Sequence, residues 1–360
     1  MSSALSLLLL STAPALAADD NLGGLPEPDP YIQAHVWATL YDQDEDRTAD
    51  PAGYGDPEDD SGFKIRRARV GFTGINDTWR YAVILGQSAP FDGLTALGGT
   101  QIDIVDAHAG YSPAEGLWIT GGVQKVPVSR ELIMSSQRLA LVERSVASEW
   151  LIPGRDTGLT VDYRVGSSSL YGKLSAGVYN GNRSVVSDDN EGKLLAARAE
   201  LVVGEANPYR TWGKVDGVTF AVAGDFWNNN DVATDTTGFG ADMILRVGGL
   251  AVTAEGRMAT IAPDDTTIAQ PDVLAGTRRL GALAQVGYSV AAYEPAVRFS
   301  LWDDDADNED NGDVADVLAG VTRNGRNHNW RVGGGYVHRM ELGGTPIQND
   351  TVRLWMLVRL

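Results

Sequence analysis

The feature that most restricts this chain is a repeated two-residue rhythm. At its end, Val352, Leu354, Met356, Val358 and Leu360 are apolar, with Arg353 and Arg359 between them. Near its start, Ile32, Ala34, Val36, Ala38 and Leu40 alternate with Gln33, His35 and Thr39. In a strand, successive side chains point to opposite faces, so each segment presents one apolar and one polar face. Sixteen such segments lie near 31–41, 62–74, 78–88, 102–111, 116–125, 156–165, 169–179, 193–203, 216–227, 238–247, 249–259, 279–290, 294–302, 315–323, 328–339 and 351–360. The chain reads as all-β.

The connections between segments alternate in length. Residues 42–61 form a long gap and 75–77 a tight one; 89–101 is long and 112–115 short; 126–155 is very long and 166–168 short. Later, 248–249 and 324–327 are short, while 260–278, 303–314 and 340–350 are long. The stretch 204–215 breaks the rule, being long where a short turn is due. A soluble sandwich has no reason to sort its loops this way. A transmembrane barrel does: short turns face the periplasm, long loops face outside, and closure pairs every backbone group without a helix. The expected fold is a 16-stranded antiparallel transmembrane β-barrel in the bacterial outer membrane, its apolar face against lipid. Trp79, Tyr81, Tyr111, Tyr163, Trp330 and Tyr336 sit on the apolar parity, several near strand ends where aromatic girdles form.

Composition agrees. Residues 4–17, "ALSLLLLSTAPALA", are too short to span a bilayer as a helix, which needs about 20 residues. They end in an A-x-A pattern, so 1–17 reads as a signal peptide, although Met1-Ser2-Ser3 lacks the usual cation. Residues 18–30 are then a periplasmic segment and 31–360 the barrel. There is no cysteine, so no disulfide framework.

The formal net charge is -19, yet "FKIRRARVGF" (63–72) gathers four cations inside a strand pattern. Strict parity, with Ala68, Val70 and Phe72 toward lipid, sends Arg67 and Arg69 to the lumen and leaves Lys64 and Arg66 on the lipid side at the outer rim, where long side chains snorkel. Applied to every strand, the same parity turns thirteen cations inward: Arg67, Arg69, Arg80, Arg164, Lys173, Arg198, Arg246, Arg257, Arg298, Arg331, Arg339, Arg353 and Arg359. Six acids accompany them: Asp106, Asp162, Glu200, Asp225, Asp242 and Glu255, an excess of seven positive charges. Other acids crowd into two predicted outer loops, nine in 42–61 and seven in 303–313. The second run lacks the glutamate that an EF-hand needs at position twelve, so it reads as a solvated loop.

Residues 126–155 form the longest connection, "VPVSRELIMSSQRLALVERSVASEWLIPGR", and are neither acidic nor Gly-rich. Ser129 followed by a helix-compatible run predicts a capped short helix. A loop so apolar is expected to fold into the lumen as a constriction. Arg130, Arg138, Arg144 and Arg155 would then line the narrowest zone, with Glu131, Glu143 and Glu149 as pairing acids.

Three blocks resemble the phosphate-selective porins of the O/P type: "FKIRRARVGFTG" (63–74), residues 121–158, and "VLAGVTRNGRNHNWRVGGGYVHR" (317–339) ahead of a terminal strand. The resemblance implies a sixteen-stranded barrel, usually a homotrimer, an inward-folded third loop and an arginine-rich anion path. Matched positions are Arg67, Arg69, Glu143, Arg144 and Arg155. Only Lys125 and Lys173 are lysines placed near the lumen, where the family's phosphate specialists have more.

The expected function is a passive outer-membrane channel for small anions such as phosphate or polyphosphate. The alternative is a general or sugar-admitting porin whose arginines balance lumen acids. The candidate channel-lining residues are Arg67, Arg69, Arg80, Lys125, Arg130, Arg138, Arg144, Arg155, Lys173, Arg331 and Arg353, with Glu131 and Glu143 as loop partners. No nucleophile-elbow, zincin or phosphate-loop motif is present, so no enzyme, cofactor or metal is expected. Nor is there a basic patch with interleaved aromatics to suggest nucleic acid.

Overall fold

The computed structural model describes residues 24–42, 62–88, 102–182, 188, 191–231, 234–263, 277–309, 313–325, 329–344, 346 and 350–359. The expected signal segment 1–17, residues 18–23, the acidic stretch 43–61 and Leu360 lie outside them, as do 310–312 of the second acidic run.

Sixteen strands are present: β1 Asp29–Asp42, β2 Gly62–Ile75, β3 Trp79–Ser88, β4 Asp103–Ala114, β5 Leu117–Lys125, β6 Arg155–Gly166, β7 Leu170–Tyr179 and β8 Leu194–Val203. They continue as β9 Val218–Asn230, β10 Thr234–Val247, β11 Leu250–Pro263, β12 Thr277–Tyr288, β13 Tyr293–Asp303, β14 Val314–Asn324, β15 Trp330–Glu341 and β16 Thr351–Arg359. Each pairs antiparallel with its sequence neighbour, and β1 closes on β16, so the barrel has no free edge. Burial alternates with the pleat, most regularly in β8, where every second residue is buried. Outward positions such as Phe72, Val83, Leu174, Phe239, Val297 and Met356 expose large apolar side chains, the belt a bilayer requires.

Two departures from the sequence reading matter. The connection 204–217 between β8 and β9 is long although it lies at the turn end of the barrel, and 231–233 between β9 and β10 is short at the loop end. The alternation of lengths therefore inverts at this one place. Second, β2 carries a bulge: His35 pairs with Arg67, but Val36 pairs with Ile65, leaving Arg66 as the extra residue. A bulge puts two neighbours on one face. Arg66 is accordingly buried inside the barrel beside Arg67, while Phe63 and Ile65 are exposed outward and Lys64 shares the parity of Arg66. The expectation that Lys64 and Arg66 face lipid is corrected. All four cations of "FKIRRARVGF" take the inner side, which is why a strand of an acidic protein can hold them.

The core lies inside the barrel. The connection from β5 to β6 carries α1 Arg130–Ile133, a 3-10 turn at Ser136–Arg138 and α2 Val146–Trp150. Ser129 caps α1, its Oγ accepting from Leu132 N at 3.1 Å. Val126, Val128, Leu132, Val146, Leu151 and Ile152 pack on Trp227, Trp302, Tyr179 and Leu194 of the wall. Ala140, Leu141 and Val142 pack on Trp37, Leu318, Val337, Trp355, Leu357 and on Trp212 of the 204–217 connection. Burying each large aliphatic side chain contributes about 1.5–3 kcal/mol, so the loop is seated by hydrophobic burial as well as by its charges. The wall makes room with glycines. A Cβ on Gly320 would stand 2.8 Å from the Trp355 ring and 3.2 Å from Leu141, and one on Gly281 would stand 3.1 Å from Ala147.

Candidate functional site: the lumen

The charged residues of the lumen divide into three groups. The first locks the β5–β6 loop to the wall. Glu143 accepts from Arg66 Nε at 3.0 Å and from both Arg67 Nη atoms at 2.8 and 2.7 Å, a bidentate pair. Burial favours the neutral acid, but Arg66 and Arg67 outweigh it and hold Glu143 well below the usual carboxylate range. Arg298 Nη1 donates to the Glu143 carbonyl at 2.7 Å and lies 3.5 Å from Glu131. Glu131 itself accepts from Ser145 N and Oγ at 3.0 and 2.7 Å. Arg331 donates to the carbonyls of Gln137, Leu139 and Ala140 at 3.2, 2.6 and 3.0 Å. Trp212 stands between two guanidinium groups, Arg210 at 4.4 Å and Arg331 at 4.6 Å, and Arg353 lies 4.0 Å over Trp37.

The second group is a closed ion cluster at β8–β11. Arg130 reaches Asp242 at 2.8 Å and Glu200 at 2.8 Å and is fully buried. Arg198 meets Asp225 and Asp242 at 2.9 and 2.5 Å; Arg257 meets Asp225 and Glu255 at 2.6 and 3.0 Å. Ser129 adds its Oγ to Glu255 at 2.7 Å. Three buried arginines are shared among four carboxylates here, and charges so buried hold only through such pairing. This set clamps the start of the loop to the wall.

The third group lies on the flank from β2 to β7, where Arg80, Arg155 and Lys173 keep access to water and Arg144 is buried among them. Arg155 makes a two-pronged contact with Asp106 at 3.0 and 3.1 Å, and is about a quarter exposed. Arg80 and Lys173 share Asp162 at 2.7 and 3.0 Å, Lys173 being a third exposed. Arg69 stands on the same inward parity of β2. Lys125 Nζ donates to the carbonyls of Leu132, Ile133 and Met134 at 2.7–2.9 Å. Arg144 shares the Met134 carbonyl at 2.9 Å and pairs with Glu149 at 3.3 Å. Burial lowers the affinity of the Arg144 guanidinium for its proton; Glu149 opposes this, while Arg67 and Arg155 add to it. Arg144 thus sits in a field of other cations.

Two cavities follow this flank. A vestibule of about 1160 Å³ opens at the turn end between Arg80, Trp118, Arg164, Tyr171 and Lys173. A chamber of about 160 Å³ lies beneath the loop between Lys125, Ile133, Thr160, Lys173 and Arg198. Asp162, Lys173, Glu200 and Tyr209 line both.

The candidate residues therefore separate. Arg80, Lys125 and Lys173 line the cavities, and Arg69, Arg144 and Arg155 stand on the same flank. Arg67 and Glu143 form the lock, with Glu131 beside it. Arg130 and Arg331, expected at an open narrowing, are wholly buried and hold the loop instead; Arg353 is buried over Trp37. Arg138 is exposed, and its carbonyl accepts from Thr211 N at 3.0 Å. Parity also omitted three buried inward carboxylates, Asp156, Glu294 and Asp316, which largely offset the two cations, Lys64 and Arg66, that the bulge turns inward. The sequence reading missed Arg66, hidden by the bulge, and Tyr209 and Trp212, in the stretch whose length was the only sign.

Comparison with known proteins places this geometry. The family described as phosphate-selective porin O and P matches residues 43–211, which hold β2 to β8 and the whole β5–β6 loop. No curated protein matches the sequence. Among solved structures, the barrel is similar to an anion-selective porin of Comamonas acidovorans at 11% identity and a TM-score of 0.57, covering 93% of this chain and 99% of that one. It is also similar to OmpF of Salmonella typhi, at 14% identity and TM-score 0.58 over 93% and 98% of the chains. OmpT of Vibrio cholerae, in a trimer form, gives 12% identity and TM-score 0.56 over 93% and 99%. At such identities these structures speak for the fold, and the family match speaks for the kind of protein. Residues 43–211 match the family of phosphate-selective porins O and P, and with the sixteen-stranded barrel around them this supports an outer-membrane diffusion channel.

Proposed function

We propose that this channel favours small anions, phosphate among them, and that they move along the β2–β7 flank. The observation that carries the proposal is the row of partly exposed cations there. Arg155 stands at the loop end of its strand, Arg69 midway along β2, and Lys173 and Arg80 near the turn end, while Lys125, its ammonium held by three carbonyls, only borders the chamber. The acids among them, Asp106 and Asp162, are each already engaged by cations. A pore filters by the charge that lines it, and cations spaced along a wall attract without trapping. The acids of the outer connections sit farther off, and salt screens exposed charges beyond about 8–10 Å. With the turn end toward the periplasm, solutes leave through the vestibule.

The domain limits enter the same reading: 1–17 a signal peptide, 18–30 periplasmic, 31–360 the barrel, 126–155 the constriction. A homotrimer is part of it too, supported by the trimer form of the similar OmpT structure of Vibrio cholerae. A general or sugar-admitting porin is the second reading, favoured by Trp118, Tyr171 and Tyr209 around the vestibule.

The zero-current potential across a planar bilayer under a KCl gradient tests the proposal. Anion preference that falls when Arg69, Arg155 and Lys173 are replaced by Gln supports it. Cation preference, or none, makes the general porin the better account.

A further inference from the structure

The β8–β9 connection is the part of this barrel that the porin reading leaves unexplained. A hairpin at the turn end needs two to five residues. This one has fourteen, 204–217, and it runs into the lumen rather than away from it. Thr211 N donates to the Arg138 carbonyl at 3.0 Å, Thr211 Oγ1 accepts from Ala140 N at 2.8 Å, and Trp212 Nε1 donates to the Gln137 carbonyl at 3.2 Å. Arg246 ties it from β10, bonding the carbonyls of Asn207, Trp212 and Gly213 at 2.8–3.0 Å. At its far side Gly213 N donates to Ser289 Oγ at 2.9 Å. The segment is held at both ends and in the middle.

Tyr209 is the residue it delivers to the solute path. Its hydroxyl donates to Glu200 Oε2 at 2.6 Å, and the Arg130 guanidinium lies 5.2 Å from its ring centre. The ring lines both the 1160 Å³ vestibule and the 160 Å³ chamber. Lys173 and Glu200, cross-strand partners on β7 and β8, line both as well, and so does Asp162. These four side chains are common to the two spaces.

We infer that the β8–β9 connection builds a second constriction below the β5–β6 loop, with Tyr209 as its size-determining residue. The ring sets the free cross-section, and Glu200 and Arg130 stop it from swinging out. Solutes that clear the upper loop meet a second filter, for small hydrated ions and compact organic solutes. The inference concerns size, so it stands whichever sign of ion the channel prefers.

Single-channel conductance of the full chain in a planar bilayer is the test, with heat-modified gel mobility as the check that the barrel is folded. Tyr209→Ala should raise conductance by about twofold, because conductance follows the free cross-section of the narrowest zone. Tyr209→Trp should lower it. Tyr209→Phe keeps the ring and should stay near the parent value. The zero-current potential, recorded on the same membranes, reports the ion preference separately. Folded channels in which neither the Ala nor the Trp variant changes conductance would overturn the inference.

Discussion

The two halves of the lumen hold similar residues and use them differently. On the half formed by β12–β16 with β1, the loop segment 139–147 and Trp212 fill the space, and arginines are spent on backbone carbonyls and buried carboxylates. On the half formed by β3–β8, the wall stays uncovered enough for two cavities, and Arg80, Arg155 and Lys173 keep part of their surface in water. Inward-facing charge is therefore not the same thing as channel charge. A cation saturated by carbonyls is a structural part, whereas a third-exposed ammonium beside one shared carboxylate, as at Lys173, still acts on a passing ion.

The sharpest way to break this contrast is to unlock the filled half. Glu143→Gln takes from buried Arg66 and Arg67 the carboxylate they share, leaving Arg67 the longer contact to Glu149 at 3.9 Å, and breaking a buried pair from one side costs about 3–5 kcal/mol. The loop should loosen and open-channel noise should rise strongly. Acid reaches the same state. Because the folded value of Glu143 lies below the ordinary 4.5, its stabilisation is complete above that pH and is lost as pH falls through the folded value. Currents should therefore stay quiet from neutral pH down to the ordinary glutamate range and become noisy only in stronger acid. Quiet currents from the Gln variant would show that apolar packing alone seats the loop.

Arg331→Ala ranks next. It removes one donor from each of three buried carbonyls, of which Gln137 keeps Trp212 and Ala140 keeps Thr322, and takes the guanidinium away from the Trp212 ring, a loss on the order of 2 kcal/mol. Thermal unfolding followed by circular dichroism should move down, with ion preference unchanged. A change of preference without a change of stability would place Arg331 among the channel residues after all.

Much of this was legible beforehand, and the failures have physical causes. Strand number, antiparallel order and the apolar belt follow from the period of two, which one residue pair after another repeats. Arg66 was misplaced because a bulge resets parity without leaving a mark in "RRAR". Arg130 and Arg331 were read as open because a sequence displays charge but not the carbonyls and carboxylates that a folded loop brings to it. The length of 204–215 did register as irregular. Its meaning depended on the partners at Gln137 and Arg138, more than seventy residues away in sequence.

On the open half, Lys173→Gln should change little in stability, since an exchange at a third-exposed ion pair is worth under about 1 kcal/mol. It should lower anion preference measurably, because Lys173 lines both cavities. If the zero-current potential does not move while Arg155→Gln moves it, the selecting charge lies at the loop end of the flank and not at Lys173.

Arg138→Ala should have the smallest effect, and for that reason it tests the contrast most finely. Its side chain is exposed, and the contact that fastens this point of the loop runs through its backbone carbonyl to Thr211, which alanine preserves. Stability should stay within about 0.5 kcal/mol, as for surface changes away from buried networks. Yet Arg138 stands near Arg210, whose guanidinium is held below its ordinary value by burial first and then by Arg138 and Arg359. These cations border the filled half, away from the residues lining the cavities. If ions pass along the β3–β8 side, removing one of them leaves both conductance and preference at the parent values. A clear drop in anion preference would mean that solutes also touch the filled half, and the division of the lumen into a structural and a conducting side would have to be redrawn.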